Sequence, residues 1–166
     1  MNLHRIFPKI RQQIPDASLV ITSDYRLWGV APSNEHFKVK FLGMEGIEYI
    51  GAVPRIRLLE EQRKAEVLLY PSNYEELFCI AAAEAQWAGS FPITSSIGSL
   101  GTTNMGIVLD VDANDPRNDS LFVEETVNFL NNPDKEKWIY DLRELAVTRF
   151  SPQTIIKEWN EKVFNL

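Results

Sequence analysis

Cysteine and histidine are nearly missing from this chain: one Cys, Cys79, and two His, His4 and His36, occur in 166 residues. A single thiol cannot close an intramolecular disulfide and fits a reducing compartment, so the expected location is cytoplasmic. The two histidines have no acidic or cysteine neighbours at ligand spacing, which excludes a zinc pattern. No apolar run reaches the length of a membrane span, and residues 1–9 lack the continuous apolar stretch of a signal peptide. Basic residues are also scarce. Lys and Arg total 17 against 23 Asp and Glu, a net charge of -6, which argues against polyanion binding and so against nucleic acid as a partner.

Other chemistries are missing too. There is no Gly-x-Ser-x-Gly elbow, and Gly98-Ser99-Leu100-Gly101 lacks the rest of a phosphate loop. Residues 110–115 start like a calcium loop, yet Asp115 stands where glycine is required and Leu121 where the closing glutamate belongs. An acidic surface loop is expected there, and no metal site.

What is present is enough apolar content, 45% of residues, to build one substantial core. One domain over residues 1–166 is expected. Ile6, Ile10 and Ile14 recur at helical spacing, with Pro8 placed near the helix start. Residues 18–22 read as a short β-branched strand and 23–34 as loop. Residues 37–42 alternate apolar and basic side chains and read as a strand, as do residues 47–50. A helix follows Pro54, and its cluster Arg55, Arg57, Arg63 and Lys64, interrupted by Glu60 and Glu61, reads as a solvated face. The unbroken apolar run 67–70 suits a strand covered on both faces of a parallel sheet. Residues 78–88 read as a helix with Gly89 just past its end, then strands at 91–95 and 107–109. From residue 122 the chain reads as helices broken at 131–133 and 151–152, with Trp138, Trp159 and Phe164 as core contacts. Repeated helix–strand alternation points to an α/β, Rossmann-like three-layer domain with a mostly parallel sheet and ligands at the carboxyl ends of its strands.

Between residues 77 and 109 the only charged side chain is Glu84. A carboxylate buried there needs donors, from elsewhere in the fold, from water or from a hydroxyl-rich ligand. On a helical wheel it shares the stripe of Ile80, Ala83, Trp87 and Ala88, the face expected to pack inward. Glu76 stands eight residues earlier, where the helix is about to begin, and reads as a cap or as a ligand-binding acceptor beside free amides. Two acceptors flanking a row of amide donors suit a sugar joined to a phosphate.

The full string is Tyr70-Pro71-Ser72, Glu76-Leu77-Phe78, Ala83-Glu84-Ala85, Ala88-Gly89 and Phe91-Pro92-Ile93-Thr94-Ser95. It resembles the donor-binding signature of retaining glycosyltransferases of GT-B fold, the GT4-like family, specifically over residues 66–95. Weaker likeness lies at residues 49–53, at Ile97-Gly98-Ser99 and in the closing helix at 150–159. The resemblance implies the C-terminal, donor-binding half of a GT-B architecture, closed by C-terminal helices.

It further implies that Glu76 binds hydroxyls of the donor sugar and Glu84 the nucleotide ribose. The amides of Phe78, Cys79 and Ile80 would face the sugar and phosphate. Cys79 replaces a glycine common in the family; its side chain would either narrow the sugar pocket or simply pack in the core. The activity implied is transfer of a glycosyl group from a nucleoside diphosphate sugar to an acceptor hydroxyl with retention, without cofactor or divalent metal. The family's basic pair and its acceptor-binding domain have no counterpart here, and Lys9 and Arg11 do not replace the pair. No residue of this chain is therefore assigned as catalytic, and an acceptor-binding domain or subunit in trans is the expected partner. A non-catalytic nucleotide-sugar-binding relic or regulatory module, and a fragment of a GT-B-type nucleotide-sugar epimerase, are the alternatives.

Overall fold

The apolar runs of the sequence become parallel strands. The computed structural model describes residues 2–23 and 36–164, the side chains of 36 and 37 excepted. Its elements begin with α1 (Leu3–Gln13), β1 (Leu19–Ile21), α2 (His36–Val39), β2 (Ile47–Tyr49), α3 (Arg55–Lys64) and β3 (Val67–Tyr70). Then come α4 (Ile80–Ala88), β4 (Phe91–Ser95), α5 (Leu100–Thr103) and β5 (Ile107–Leu109). A 3-10 turn (Pro116–Asn118) leads into α6 (Asp119–Leu130), α7 (Lys135–Phe150), α8 (Pro152–Trp159) and a final π-helical segment (Asn160–Phe164). Strands β3, β4 and β5 form one parallel sheet, and β1 pairs with β2 in a second parallel sheet. This is the Rossmann-like α/β arrangement that the alternation predicts.

The central strand is β4, all five of whose residues are buried, whereas the four residues of β3 are only half-buried. The expectation of a strand covered on both faces therefore belongs to β4 and not to residues 67–70. The reason is position: β4 lies between β3 and β5, and α4, α5 and α6 pack on it.

The main core joins Ile6 and Ile10 of α1, Phe91 and Ile93 of β4, Phe122, Val123, Val127 and Phe129 of α6, and Leu142 of α7. A smaller cluster of Leu3, Ile21 and Phe41 shares Leu69 of β3 with it. Pro8 lies inside α1 and does not begin it: the helix starts at Leu3. A proline there forfeits one backbone hydrogen bond, and burial of Leu3, Ile6, Phe7 and Ile10 outweighs the loss.

Residues 37–42 are not a strand. They run through the end of α2 into a turn, in which Phe41 is 3% exposed while Val39 and Leu42 face solvent. A six-residue alternation is too short to separate the two periods, and one buried aromatic ring anchors the turn. Of the loop read at 23–34, residues 24–34 lie outside the described residues.

Helix α6 begins at Asp119, and the breaks near 131–133 and 151–152 stand where the sequence puts them. Ser151 caps α8 by accepting the Thr154 amide at 3.1 Å, with Pro152 at the first helical position. Of the aromatic residues read as core contacts, Trp138 is half-exposed yet packs across the core residues Phe91 and Phe129, whereas Trp159 and Phe164 are exposed, resting on each other at 6.1 Å. Among the described residues no helix is long and apolar enough to cross a membrane.

Candidate functional site

Parallel register brings the ends of three strands to one edge: Tyr70 lies beside Thr94, and Ser95 beside Leu109. The loops that follow them are tied together there. The Ser95 hydroxyl donates to the Ser72 carbonyl, and the Ser96 hydroxyl donates to Asp110 at 2.6 Å. Asn73 bridges two loops, donating to Asp112 and accepting the Ala113 amide at 2.9 Å. This edge carries Glu76.

Glu76 is half-buried, and α4 begins only at Ile80, so the carboxylate is no cap of that helix. Its Oε1 accepts the Tyr70 hydroxyl at 2.7 Å, and the Cys79 thiol lies near enough for the carboxylate to perturb it. The Ser99 amide donates to the Glu76 carbonyl at 2.9 Å. Gly98 presses on the same backbone: its φ is +56°, and a Cβ there would stand 2.8 Å from the Glu76 nitrogen. Glycine is required at 98 on both counts.

Cys79 is fully buried with Ala82 and Leu100, against which Leu68, Tyr70 and Ile97 pack. Burial, and then the neighbouring Glu76 carboxylate, push its thiol up to about 12. The nearby amides of Ala82 and Ala81 temper the rise without closing a side-chain cap. Burial followed by the Glu76 contact also pushes the Tyr70 phenol above its ordinary range. Both groups are neutral at pH 7, and Tyr70 is a donor to Glu76.

The remaining predicted sugar-site residues diverge. The Phe78 ring meets Phe150 at the end of α7 edge-on, 5.9 Å between centroids, with the Arg149 guanidinium 5.4 Å from the Phe150 ring. Ile80 points outward, as do Tyr74 and Leu77. The fold thus joins Glu76 with Cys79 and leaves Phe78 and Ile80 as parts of an apolar surface.

Glu84 is only partly buried, and its stripe is not uniformly turned inward. Ile80 and Trp87, its companions on the wheel, are 60% and 52% exposed, and the buried stripe of α4 is Ala82, Ala83, Ala85 and Gln86. Packing chose the smallest side chains because they let the helix backbone come close to its neighbours. Gln86 is 0% exposed and fully used: its amide donates to the Ala82 and Thr103 carbonyls and its oxygen accepts the Met105 amide. Gly89 ends the helix in the left-handed region at φ 97°.

The donor that Glu84 needs comes from the fold. Arg55, the first residue of α3, places Nη2 2.5 Å from its Oε1, with the Glu84 side chain 19% exposed and that of Arg55 68%. Arg55 is thus separated from its basic neighbours, whereas Arg57 and Lys64 pair along α3 with Glu60 and Glu61, as a solvated face does.

Sequence reasoning missed Arg55 and Tyr70 as partners of the two glutamates, and it missed Asp119. The Asp119 side chain is 2% exposed, takes Arg5 through both oxygens at 2.9 and 3.1 Å and Lys9 at 3.3 Å, and clamps α1 to α6. Burial pushes its carboxyl up, and the hydrogen bonds from Arg5 and Lys9 more than reverse that, leaving it below the usual range. Lys9 and Arg11 are both engaged, Arg11 with Glu45 at 2.7 Å. Asp115 caps the 3-10 turn and pairs with Arg117, so the acidic loop spends its carboxylates on the chain itself.

No family model matches the chain, and no curated protein does. Among solved structures it is similar to Alr3699/HepE of Anabaena, crystallised in complex with UDP-glucose, with a TM-score of 0.69 and 16% identity. The similarity covers 98% of this chain and 45% of that one, so the chain spans less than half the length of the neighbour. The likeness is one of fold, and the fold is GT-B-like.

Proposed function

We propose that this chain is the nucleotide-sugar-binding half of a retaining glycosyltransferase, with Glu84 for the ribose and Glu76 for hydroxyls of the donor sugar. The observation that carries the reading is Glu76 itself, a carboxylate held at the carboxyl edge of a parallel sheet where ligands of open α/β folds bind. Similarity of fold to a protein crystallised with UDP-glucose supports the same ligand class. A carboxylate can accept both hydroxyls of a ribose diol, and Glu84 is exposed enough to do so beside Arg55. The amides of Phe78, Cys79 and Ile80 are assigned to the sugar and phosphate.

The reaction requires an acceptor-binding domain or subunit in trans. Exposed Tyr74, Leu77, Phe78 and Ile80 beside Glu76 are the surface for it, since so large an apolar cluster is commonly covered. Catalysis would rest on positioning and on stabilising the departing diphosphate, with no metal or cofactor.

The test is calorimetry with UDP-glucose and with its GDP and ADP counterparts, on the natural chain and on Glu84→Ala. Binding that vanishes in the variant supports the assignment, and unchanged affinity refutes it. Turnover that is seen only when a second GT-B half is supplied identifies the transferase.

A further inference from the structure

Glu76 belongs to a loop whose neighbours, Asn73, Tyr74, Glu75 and Leu77, are exposed, Leu77 completely. A carboxylate in such a stretch ordinarily samples many rotamers. Here it is tied from several sides. Its backbone is fixed by the Ser99 amide and by the close approach of Gly98, from the loop after β4. Its side chain receives the Tyr70 hydroxyl from the end of β3.

We infer that Tyr70 is a positioning residue that holds the Glu76 carboxylate in the orientation from which it accepts hydroxyls of the donor sugar. The inference deepens the donor-binding reading and rests on it. A neutral donor orients the carboxylate without neutralising it, and among the described residues no cation pairs with Glu76. A carboxylate offers about four lone-pair sites, so with the Tyr70 donor in place it still has capacity for a pair of sugar hydroxyls. The arrangement is pre-organisation: the ordering of a long side chain is done before the ligand arrives, and the gain goes to affinity for the sugar and not for the nucleotide.

The experiment compares UDP-glucose with UDP by calorimetry on Tyr70→Phe, which keeps the ring and its packing and removes only the donor. Affinity for UDP-glucose should fall about tenfold, the scale of one ordering hydrogen bond to a charged group, while affinity for UDP stays as it is. In a Glu76→Gln background, Tyr70→Phe should add little, because its effect passes through the carboxylate. Unchanged binding of both ligands in Tyr70→Phe overturns the inference. So does an equal loss for both, which marks a structural role. If the natural chain binds UDP-glucose and only these variants behave otherwise than stated, the donor-binding reading stands and the inference falls. If the natural chain binds none of UDP-, GDP- or ADP-glucose, both fall.

Discussion

Replacing Asp119 by alanine removes a carboxylate that clamps α1 to α6. Three charge-assisted hydrogen bonds are lost, two to Arg5 and one to Lys9. Truncating one partner of a fully buried pair costs about 3–5 kcal/mol, chiefly because the opposite charge is stranded. Here the stranded cations are not fully buried: the side chain of Arg5 is 26% exposed and that of Lys9 48%, so both regain water. The estimate therefore drops to about 2–3 kcal/mol, or about 5–10 °C in Tm for a domain of this size. Urea denaturation of the natural chain, Asp119→Ala, Arg5→Ala and the double variant measures it. Arg5→Ala in the Asp119→Ala background should cost far less than alone, since the shared interaction is already gone. The clamp reaches the site as well. Asn2 and Arg5 donate to the Ala113 carbonyl, whose residue donates its amide to Asn73, so amide exchange at Ala113 should quicken in Asp119→Ala. A destabilisation below about 0.5 kcal/mol, the range of ordinary surface substitutions, would refute the reasoning.

Acid should release the same clamp: stability from Asp119 is fully present above the unfolded carboxyl pKa of about 3.9 and is lost as pH falls through its lower folded value. The Cys79 thiol behaves in the opposite sense. An unfolded chain loses that proton near pH 8.5 and the folded one only at about 12, so the unfolded state binds fewer protons in between and stability declines as pH rises. Urea midpoints at pH 8 and pH 10 should differ by about 1–2 kcal/mol from this group, and Cys79→Ala should remove that part of the slope. Gly98→Ala forces a side chain into the left-handed region and a Cβ onto the Glu76 backbone, which should cost about 1–2 kcal/mol or more and weaken UDP-glucose relative to UDP. A variant with the melting temperature and affinities of the natural chain would show that neither contact matters.

The strands were legible wherever a short apolar run stood between turn residues. Residues 67–70, 91–95 and 107–109 coincide with β3, β4 and β5, and the α/β order followed from their alternation with helices. Helix ends at Gly89 and Ser151 were equally local, because a left-handed glycine and a serine cap act within a few residues. The wheel of α4 failed because Ile80 and Trp87 dominate a hydrophobicity sum, whereas contact with the sheet selects for small size.

The candidate site divides in the same way. Glu76, Cys79 and Glu84 could be singled out along the chain because their spacing and their uncharged surroundings are written in one segment of sequence. Their partners could not all be found there. Arg55 lies 29 residues from Glu84, and Arg5 lies 114 from Asp119. The sequence by itself determined strands β3, β4 and β5, their alternation with helices, and Glu76 and Glu84 as the carboxylates to follow, since local propensity and apolar patterning are written in one segment. Only the tertiary structure decided which donors hold those carboxylates and which face of α4 is buried, because ion pairs and close packing depend on distances between segments that the chain order leaves open.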